Sequence, residues 1–300
     1  MSNITPHKRL GQVFLKNRIY LSKIIKAAEI KPNDLVLEIG PGTGILTEAL
    51  LQTGAKVIAI EKDQKMVDFL KNRFQNNKNL TLIQADIRDF LKNQEFKNLK
   101  LTVYCHPRPA SKCGVNSSGD LPSYKIVGNI PYYLTSHLIQ LLLELKQRPK
   151  IIVLMIQKEV AQRIISKPPK MNLLALSVQF YSTPKIICFV PKSAFWPKPK
   201  VDSAIIKLAP YHSPVILAPY HSSVIATRQW AGKQSQFFQL IKAGFSHPRK
   251  LLINNLSYNL KLEPNILKTA FEKINIPSFT RPSELSIDQW RQLLLLLFPK

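Results

Sequence analysis

Short apolar runs alternate with helical patterns through the first half of the chain. Such runs, bounded by turn-forming residues, are typical of buried strands. The predicted strands span 35–39, 56–60, 80–84, 125–128 and 151–156, and two β-rich runs at 177–190 and 203–208 complete the sheet. Asp63 is predicted to cap a helix whose apolar face carries Met66, Val67, Leu70 and Phe74. Strands that alternate with helices indicate an α/β fold with a largely parallel sheet.

From about residue 235 onward the apolar residues recur at helical spacing. Phe237, Leu240, Ile241 and Phe245 lie on one helical face. We therefore predict a first domain over 1–207, a linker over 208–234 and a small all-α domain over 235–300. The linker contains a tandem duplication, LAPYHSPVI followed by LAPYHSSVI, at 208–225. Insertions at exposed linkers cost little, which favours this placement.

A second segment that interrupts the alternation of strands and helices lies at 101–123. It is rich in Pro, Gly, Ser and Cys, and its apolar residues recur at neither helical nor strand spacing. We predict a loop insertion that enters the next strand at its amino end, away from the edge where ligands bind in open α/β sheets. Cys105, His106 and Cys113 lie within it, but their spacing is wrong for zinc, so we predict no metal site.

The charge balance indicates an anionic partner. The chain has 43 Lys and Arg residues against 18 Asp and Glu residues, a formal net charge of +25. The excess is spread along the chain, which favours a basic surface that faces a polyanion. An anionic membrane surface is the alternative, but no basic amphipathic helix with an aromatic face supports it.

Cysteine usage indicates a reducing compartment. Cys105, Cys113 and Cys188 have no metal spacing and cannot all form disulfides. We see no signal peptide and no apolar run long enough to span a bilayer. We therefore expect a cytoplasmic protein with no membrane partner. Nothing indicates an obligate subunit, so we expect a monomer.

The stretch EIGPGTGILT, at 38–47, follows the first predicted strand and opens a helix. Gly40, Gly42 and Gly44 would let backbone amides approach a ligand at the helix amino end, where the dipole favours negative groups. A dinucleotide site would require G-x-G-x-x-G, whereas the spacing here is G-x-G-x-G. The pattern therefore argues against NAD and favours a different nucleoside ligand.

Carboxylates end the next two strands. Glu61 ends the second strand, where a carboxylate can accept hydrogen bonds from ribose hydroxyls. Asp86 follows the third strand and is placed to accept a hydrogen bond from an adenine amino group. Together with the glycine-rich loop, these residues predict an adenosine pocket.

The stretch VGNIPYYLTS, at 127–136, covers the end of the fourth strand. Asn129, Pro131 and Tyr132 are predicted to lie at the carboxyl end of that strand, where ligands bind in open α/β sheets. Thr135 or Ser136 is predicted to cap the helix that follows.

Six motifs in order resemble those of the rRNA adenine N6,N6-dimethyltransferases that use S-adenosylmethionine. The motifs are HKRLGQVFL (7–15), EIGPGTGILT, Glu61, Asp86, NIPY and FWPKPKVDSA (195–204). FFQLIKAGFSHPRKLLINNL (237–256) is also similar to the family's small RNA-contacting helical domain. The resemblance implies a Rossmann-like S-adenosylmethionine-dependent methyltransferase sheet with a small C-terminal all-α domain.

The resemblance also implies the residues of the site. Cofactor contacts would fall on Val13, Leu15, Gly40, Glu61, Asp86 and Asn129, beside the Gly42 amide of the glycine-rich loop. The family usually has a polar residue at position 13, so a side-chain hydrogen bond there would be lost while a backbone contact would survive.

The target adenine would be held by the NIPY motif. The Asn129 side-chain oxygen and the Ile130 carbonyl would accept the two hydrogens of the adenine N6 amine, and Pro131 would hold the turn. Tyr132 and Phe195 would stack on a base that is extruded or single-stranded.

The resemblance implies N6,N6-dimethylation of two adjacent adenines in the 3′-terminal hairpin loop of small-subunit (16S) rRNA, with the immature 30S subunit as partner. RPSELSIDQW, at 281–290, favours this branch over the macrolide-resistance type, which methylates 23S rRNA. A non-enzymatic RNA-binding factor for ribosome assembly or transcription on the same fold is the alternative of another class. An NAD oxidoreductase is disfavoured by the glycine spacing.

Overall fold

The computed structural model describes residues 12–92, 123–211 and 233–299 of the 300-residue chain. Nearly all of the predicted insertion at 101–123, with Cys105, His106 and Cys113, lies outside the described residues. Most of the tandem duplication does so as well.

The described strands and helices follow the predicted order closely. The strands are β1 Phe14–Leu15, β2 Leu35–Ile39, β3 Lys56–Glu61, β4 Leu80–Gln84, β5 Tyr124–Asn129, β6 Ile151–Gln157, β7 Ser182–Val190, β8 Phe195–Trp196 and β9 Ser203–Pro210. The helices are α1 Arg18–Ala27, α2 Ile45–Gln52, α3 Gln64–Arg73, α4 Ile87–Lys92, α5 Thr135–Leu143, α6 Lys158–Ile164, α7 Leu173–Tyr181, α8 Gln234–Gly244, α9 Leu252–Leu260, α10 Pro264–Lys273 and α11 Ile287–Leu297.

Seven of the described strands form one sheet in the order β4-β3-β2-β5-β6-β9-β7. The first five are parallel, and β9 pairs with β6 in the antiparallel direction. Every residue of β2 is buried, as expected for a central parallel strand covered on both faces. This confirms the predicted α/β class and the largely parallel sheet.

Local signals explain two of the helix boundaries. The Asp63 side chain accepts the Lys65 N–H at the start of α3, which confirms the predicted cap. α2 ends just before Gly54, which adopts a left-handed conformation with φ of 79°.

Two local predictions were wrong. The β-rich run predicted at 177–190 is helical over residues 177–181, and the strand starts only at Ser182. α7 begins after the Asn172 cap, whose side chain accepts the Ala175 N–H at 3.0 Å. α5 is not capped by Thr135 or Ser136. A 3₁₀ turn at Tyr132–Leu134 precedes α5, and the Thr135 hydroxyl donates back to the Tyr132 carbonyl at 3.1 Å.

A second, two-stranded sheet pairs β1 with β8 in the antiparallel direction. Phe14 lies opposite Trp196, and Leu15 lies opposite Phe195. Residues about 180 positions apart in the sequence therefore lie side by side near the ligand-binding edge of the large sheet, where Phe14 and Leu15 also line a cavity.

The described residues form two compact units along the chain. The first contains the described residues up to Ala161 together with Pro184–Pro210, and it holds both sheets apart from the first two residues of β7. The second contains Gln162–Thr183 and the described residues from Tyr211 onward. α7 therefore belongs to the helical unit, a placement that differs from the predicted 1–207 boundary.

The helical unit has its own aromatic core. Phe180 of α7 stacks on Phe237 of α8, with ring centroids 4.2 Å apart. Trp290 of α11 is fully buried and stacks on Phe245 at 5.8 Å. The Asn255 amide donates to the carbonyl of Gly244, which ends α8, at 2.7 Å, so α9 is tied to that helix by a buried hydrogen bond. Burial of these rings explains why residues 162–183 group with the C-terminal helices.

Among the residues described, no helix combines the length and apolar character that a membrane crossing requires.

Candidate active site

Four strand ends meet at one edge of the large sheet. β4, β3, β2 and β5 are adjacent and parallel, so their carboxyl ends lie side by side. The chain leaves β2 toward β3 on one side and returns to β5 on the other, which makes the gap between β2 and β5 a topological switch point. Ligands of open α/β sheets bind at that position.

A cavity opens at this edge of the first unit. Its lining includes eight of the predicted site residues: Val13, Leu15, Gly40, Gly42, Glu61, Asp86, Asn129 and Pro131. It also includes Gln12, Phe14, Glu38, Thr43, Lys62 and Tyr133, none of which was predicted. Five of the six sequence motifs therefore contribute residues to one cavity, and the motif at 195–204 does not. In the described parts of the chain, no group of three His, Cys, Asp or Glu side chains is arranged to hold a metal ion.

The glycine-rich loop is fastened to the end of β3. The Gly42 N–H donates to the Glu61 carboxylate at 3.2 Å, and the Gly40 N–H donates to the Ile60 carbonyl at 2.9 Å. Gly42 has a φ of +54°, and a Cβ built on it would lie 2.9 Å from Cε1 of Phe14. Position 42 therefore requires glycine both for its backbone conformation and for its contact with the Phe14 ring.

Glu61 is held ready to accept hydrogen bonds. Besides Gly42, the N–H groups of Lys62 and Asp63 donate to its carboxylate at 2.8 and 3.0 Å. Burial raises the pKa of Glu61, and the three backbone N–H groups oppose that rise. The backbone thus fixes the orientation of the carboxylate, so the side chain loses little conformational entropy when a ligand binds.

Asp86 is the centre of a charged cluster at the cavity edge. Arg88 donates to it from Nε at 3.0 Å and from Nη2 at 2.7 Å, and Lys62 Nζ donates at 3.0 Å. The hydrogen bonds from Arg88 lower the pKa of Asp86 well below its usual range, so the carboxylate is ionised at neutral pH. The Lys62 side chain is half exposed, which makes it the donor most easily displaced by a ligand.

Asn129 ends β5 with a defined amide orientation. Its Nδ2 donates to the Val13 carbonyl at 2.8 Å, which leaves Oδ1 as the acceptor atom of this cavity-lining residue. The next residue is fixed as well, because the Ile130 N–H donates to the Met155 carbonyl at 3.1 Å. Pro131 follows with φ of −54°, at the start of the 3₁₀ turn.

The two residues predicted to stack on the target base do not line this cavity. The Tyr132 hydroxyl is hydrogen-bonded to Ser203 Oγ at 2.9 Å, and burial raises its pKa. Phe195 is only 3% exposed and packs in the core, whereas its neighbour Trp196 is 43% exposed. Tyr133, 59% exposed, lines the cavity. Among the described residues that line the cavity, Ile130, Tyr132 and Phe195 do not occur.

Glu38 is a cavity residue that the sequence reasoning missed. It is 1% exposed, and neither carboxylate oxygen makes a hydrogen bond of good geometry to a described residue. Burial raises its pKa to about 8, the nearby Thr47 hydroxyl offsets part of that rise, and the charge of Glu61 adds to it. The available signal was an acidic residue inside an otherwise apolar strand, directly before the glycine-rich loop.

Comparison with known proteins agrees with this geometry. The family model for ribosomal RNA adenine dimethylases matches residues 3–293. The chain belongs to the ribosomal RNA adenine dimethylase family. A relative in Dehalococcoides mccartyi, named ribosomal RNA small subunit methyltransferase A, is 38% identical over 288 residues, which cover 96% of this chain and 87% of the relative. A Synechocystis protein of the same name is 35% identical over 307 residues, covering 97% of this chain and 96% of that protein.

Two solved transferase structures share the fold of this dimethylase. A dimethyladenosine transferase from Plasmodium falciparum superposes with a TM-score of 0.69 at 27% identity, over 95% of this chain and 97% of that chain. The 23S rRNA methyltransferase ErmE superposes with a TM-score of 0.67 at 21% identity, over 95% and 99% of the two chains, a likeness of fold alone. The predicted Rossmann-like methyltransferase fold and rRNA adenine dimethyltransferase activity are thereby confirmed.

The methyl donor of the family is S-adenosylmethionine, and the site of this dimethylase fits it. Glu61 and Asp86 are carboxylates at the ends of adjacent strands, suited to ribose hydroxyls and to an adenine amino group. The Glu61 carboxylate can accept hydrogen bonds from the ligand, and the apolar side chains of Phe14 and Leu15 line the same cavity.

Proposed function

We propose that this chain dimethylates N6 of two adjacent adenines in the 3′-terminal hairpin loop of small-subunit rRNA, acting on the immature small subunit. Membership of the family and the small-subunit names of the relatives support the substrate. The observation that carries the proposed mechanism is the Asn129 amide, whose nitrogen is fixed by Val13 and whose oxygen is thereby assigned as an acceptor.

The cofactor-binding roles follow from the strand ends. We propose that Glu61 accepts the ribose hydroxyls and that Asp86 accepts the adenine amino group, which takes the place of Lys62. Gly40 and Gly42 bring backbone close to the ligand, and Val13, Leu15 and Asn129 complete the contacts. S-adenosylmethionine, when bound, supplies a methyl group on a positively charged sulfur.

The target adenine is a poor nucleophile, because the N6 lone pair is delocalised into the ring. Asn129 Oδ1 and the Ile130 carbonyl accept its two N–H groups, which favours a pyramidal nitrogen with its lone pair free. Pro131 fixes the turn that carries these acceptors. The alkylated amine is acidic enough to lose its proton to water, so the residues act mainly by positioning the reactants.

Stacking holds the extruded base. We propose that Tyr132, anchored through its hydroxyl to Ser203, stacks on the target base. Phe195 is buried, and we propose that it supports this pocket by packing.

The helical unit is the proposed reader of rRNA shape. Lys242, Arg249 and Lys250 are exposed there. A cleft with a volume of about 870 Å³ is lined by Arg249 and Lys250 together with His247, Tyr258 and Arg281. These cations suit the phosphates of a folded RNA, and the net charge of +25 predicts that binding weakens steeply with salt.

We further propose that the protein acts in the cytoplasm as a monomer, with no membrane partner. Cys188 is a free thiol, consistent with a reducing compartment. Light scattering of the purified protein, alone and with RNA, tests the oligomeric state, and a stable dimer in the free protein would contradict it.

The deciding experiment uses both ribosomal subunits from cells that lack this activity, with a methyl-labelled donor and nuclease mapping of the product. We expect two dimethyladenines per small subunit and no label in large-subunit RNA. Label in large-subunit RNA instead would assign the macrolide-resistance substrate. Binding to RNA without label in either subunit would support the non-enzymatic alternative.

Asn129→Ala tests the mechanism within the same assay. We expect transfer to fall by at least about a hundredfold, while calorimetry shows cofactor affinity largely retained, because the amide oxygen acts on the target amine in the transition state. Asn76→Ala, at an exposed position between α3 and β4, is the control. Transfer near the wild-type rate in Asn129→Ala would refute the proposed role.

A further inference from the structure

An exposed tryptophan packs against a phenylalanine that lines the cofactor cavity. Trp196 stacks on Phe14, with ring centroids 6.3 Å apart and 26° between the planes. Phe14 lines the cavity and lies against Gly42 of the glycine-rich loop. Trp196 itself is 43% exposed, although a large aromatic side chain on a strand normally gains from full burial. The indole therefore presents a free surface close to the site of transfer.

The chain around Trp196 is basic. Lys192, Lys198 and Lys200 are exposed on the same segment, and Lys16 is exposed on the segment paired with it, where its N–H donates to the Ala194 carbonyl. Asp202 is the acidic residue of this stretch, and its carboxylate accepts the Lys192 N–H at 3.0 Å. An exposed aromatic ring among cations is the composition that binds unpaired nucleotides, because the ring stacks on a base while the cations face phosphates.

We propose that Trp196 is a stacking platform for the unpaired nucleotide next to the target adenine. The inference rests on the proposed function. A base can enter the site only after it leaves its neighbours, and that unstacking costs free energy. A second ring surface beside the site offsets the loss for the flanking base. Because the two target adenines are adjacent, the platform holds one while the other is in the site, and thus positions the RNA for both rounds of transfer.

The proposal predicts a defect in RNA binding that leaves cofactor binding unchanged. Trp196→Ala should raise the dissociation constant for a hairpin RNA with unpaired loop adenines by about 5- to 150-fold, the range that loss of one base–aromatic stack produces. KM for RNA should rise with kcat less affected, and Trp196→Phe should restore most of the affinity. Trp196→Leu, which keeps apolar bulk without an aromatic face, should behave like the Ala variant. Ile266→Ala, at a half-exposed apolar position on α10, is the control.

Fluorescence provides a readout independent of activity. The chain contains Trp196, Trp230 and Trp290, and Trp290 is fully buried. We expect the hairpin RNA to quench emission from the wild type in the absence of any methyl donor. The difference between the wild type and Trp196→Phe isolates the quenching of Trp196. An abasic site in place of the flanking nucleotide should remove that difference and should weaken binding no further in Trp196→Ala.

Two results would overturn the proposal. One is RNA affinity and quenching unchanged in both Trp196→Ala and Trp196→Leu while the wild type methylates normally. The other is a raised cofactor dissociation constant with unchanged RNA affinity, which would make Trp196 a cover of the cofactor cavity. Absence of methylation by the wild type refutes the proposed function instead, and the quenching assay distinguishes the two cases.

Discussion

Replacing Glu38 by glutamine should make the protein less sensitive to alkaline pH. Glu38 is buried at the end of β2, without a good hydrogen-bond donor among the described residues, and burial raises its pKa from 4.5 to about 8. Glutamine has nearly the same shape and no charge. The substitution therefore removes the titration while it preserves the packing.

The sign follows from proton binding. Between pH 4.5 and about 8 the folded protein keeps the Glu38 proton, whereas the unfolded chain has lost it. The unfolded state then binds fewer protons, so the free energy of unfolding falls as pH rises through this window. Each pH unit costs about 1.4 kcal/mol, which accumulates to roughly 3 kcal/mol at pH 7 and about 5 kcal/mol above pH 8. The stability that Glu38 retains below pH 4.5 is thus lost as pH rises.

Urea unfolding followed by circular dichroism, at several pH values from 5 to 8, tests this expectation. We expect the free energy of unfolding of Glu38→Gln minus that of the wild type to grow steadily with pH. Glu159→Gln, at an exposed position on α6 of the same unit, should show no such growth. A difference that stays constant from pH 5 to pH 8 would mean that Glu38 is ionised in the folded protein, and the reasoning from burial would be wrong.

Two further substitutions test the cofactor side of the cavity. Glu61→Gln should raise the cofactor dissociation constant by about 10- to 150-fold, because it removes charge-assisted hydrogen bonds and turns an amide nitrogen toward backbone donors. Calorimetry measures this dissociation constant, and an unchanged value would exclude the proposed contact between Glu61 and the ribose. Gly42→Ala should lower the free energy of unfolding by roughly 1–3 kcal/mol, because the residue has a positive φ and its Cβ would meet the Phe14 ring at 2.9 Å. Gly54→Ala is the matched control, since Gly54 has a similar φ but its Cβ would meet Pro32 only at 3.4 Å. Equal losses in the two alanine variants in thermal melts would show that the contact with Phe14 contributes nothing.

Much of the large sheet could be predicted, because buried parallel strands read as continuous apolar runs. β2 and β4 have the predicted bounds, β3 and β6 are one residue longer at their carboxyl ends, and β5 is one residue longer at each end. The carboxylates and the NIPY motif could be placed as well, since each follows a predicted strand in a parallel sheet. The end of a strand can be located from the pattern of apolar residues along the sequence, and ligands bind at the ends of parallel strands.

The errors have a common origin in tertiary structure. α7 is rich in residues that suit either a strand or a helix, and its burial in the helical unit decides the outcome. The pairing of β1 with β8 joins two short segments that have no local strand pattern. Likewise, burial of Phe195, exposure of Trp196 and the unpaired state of Glu38 depend on neighbours from distant parts of the chain.

Residues 13 and 14 show how this distant pairing completes the site. Phe14 lies against Gly42, which donates to Glu61, and it stacks on Trp196, so one ring connects the cofactor loop with the proposed RNA platform. Val13 holds Asn129 through its backbone carbonyl. A carbonyl is present whatever the side chain, so the apolar residue at position 13 leaves the orientation of the Asn129 amide intact. What the site requires of this segment is therefore its docking as β1 against β8, which places both contacts at once.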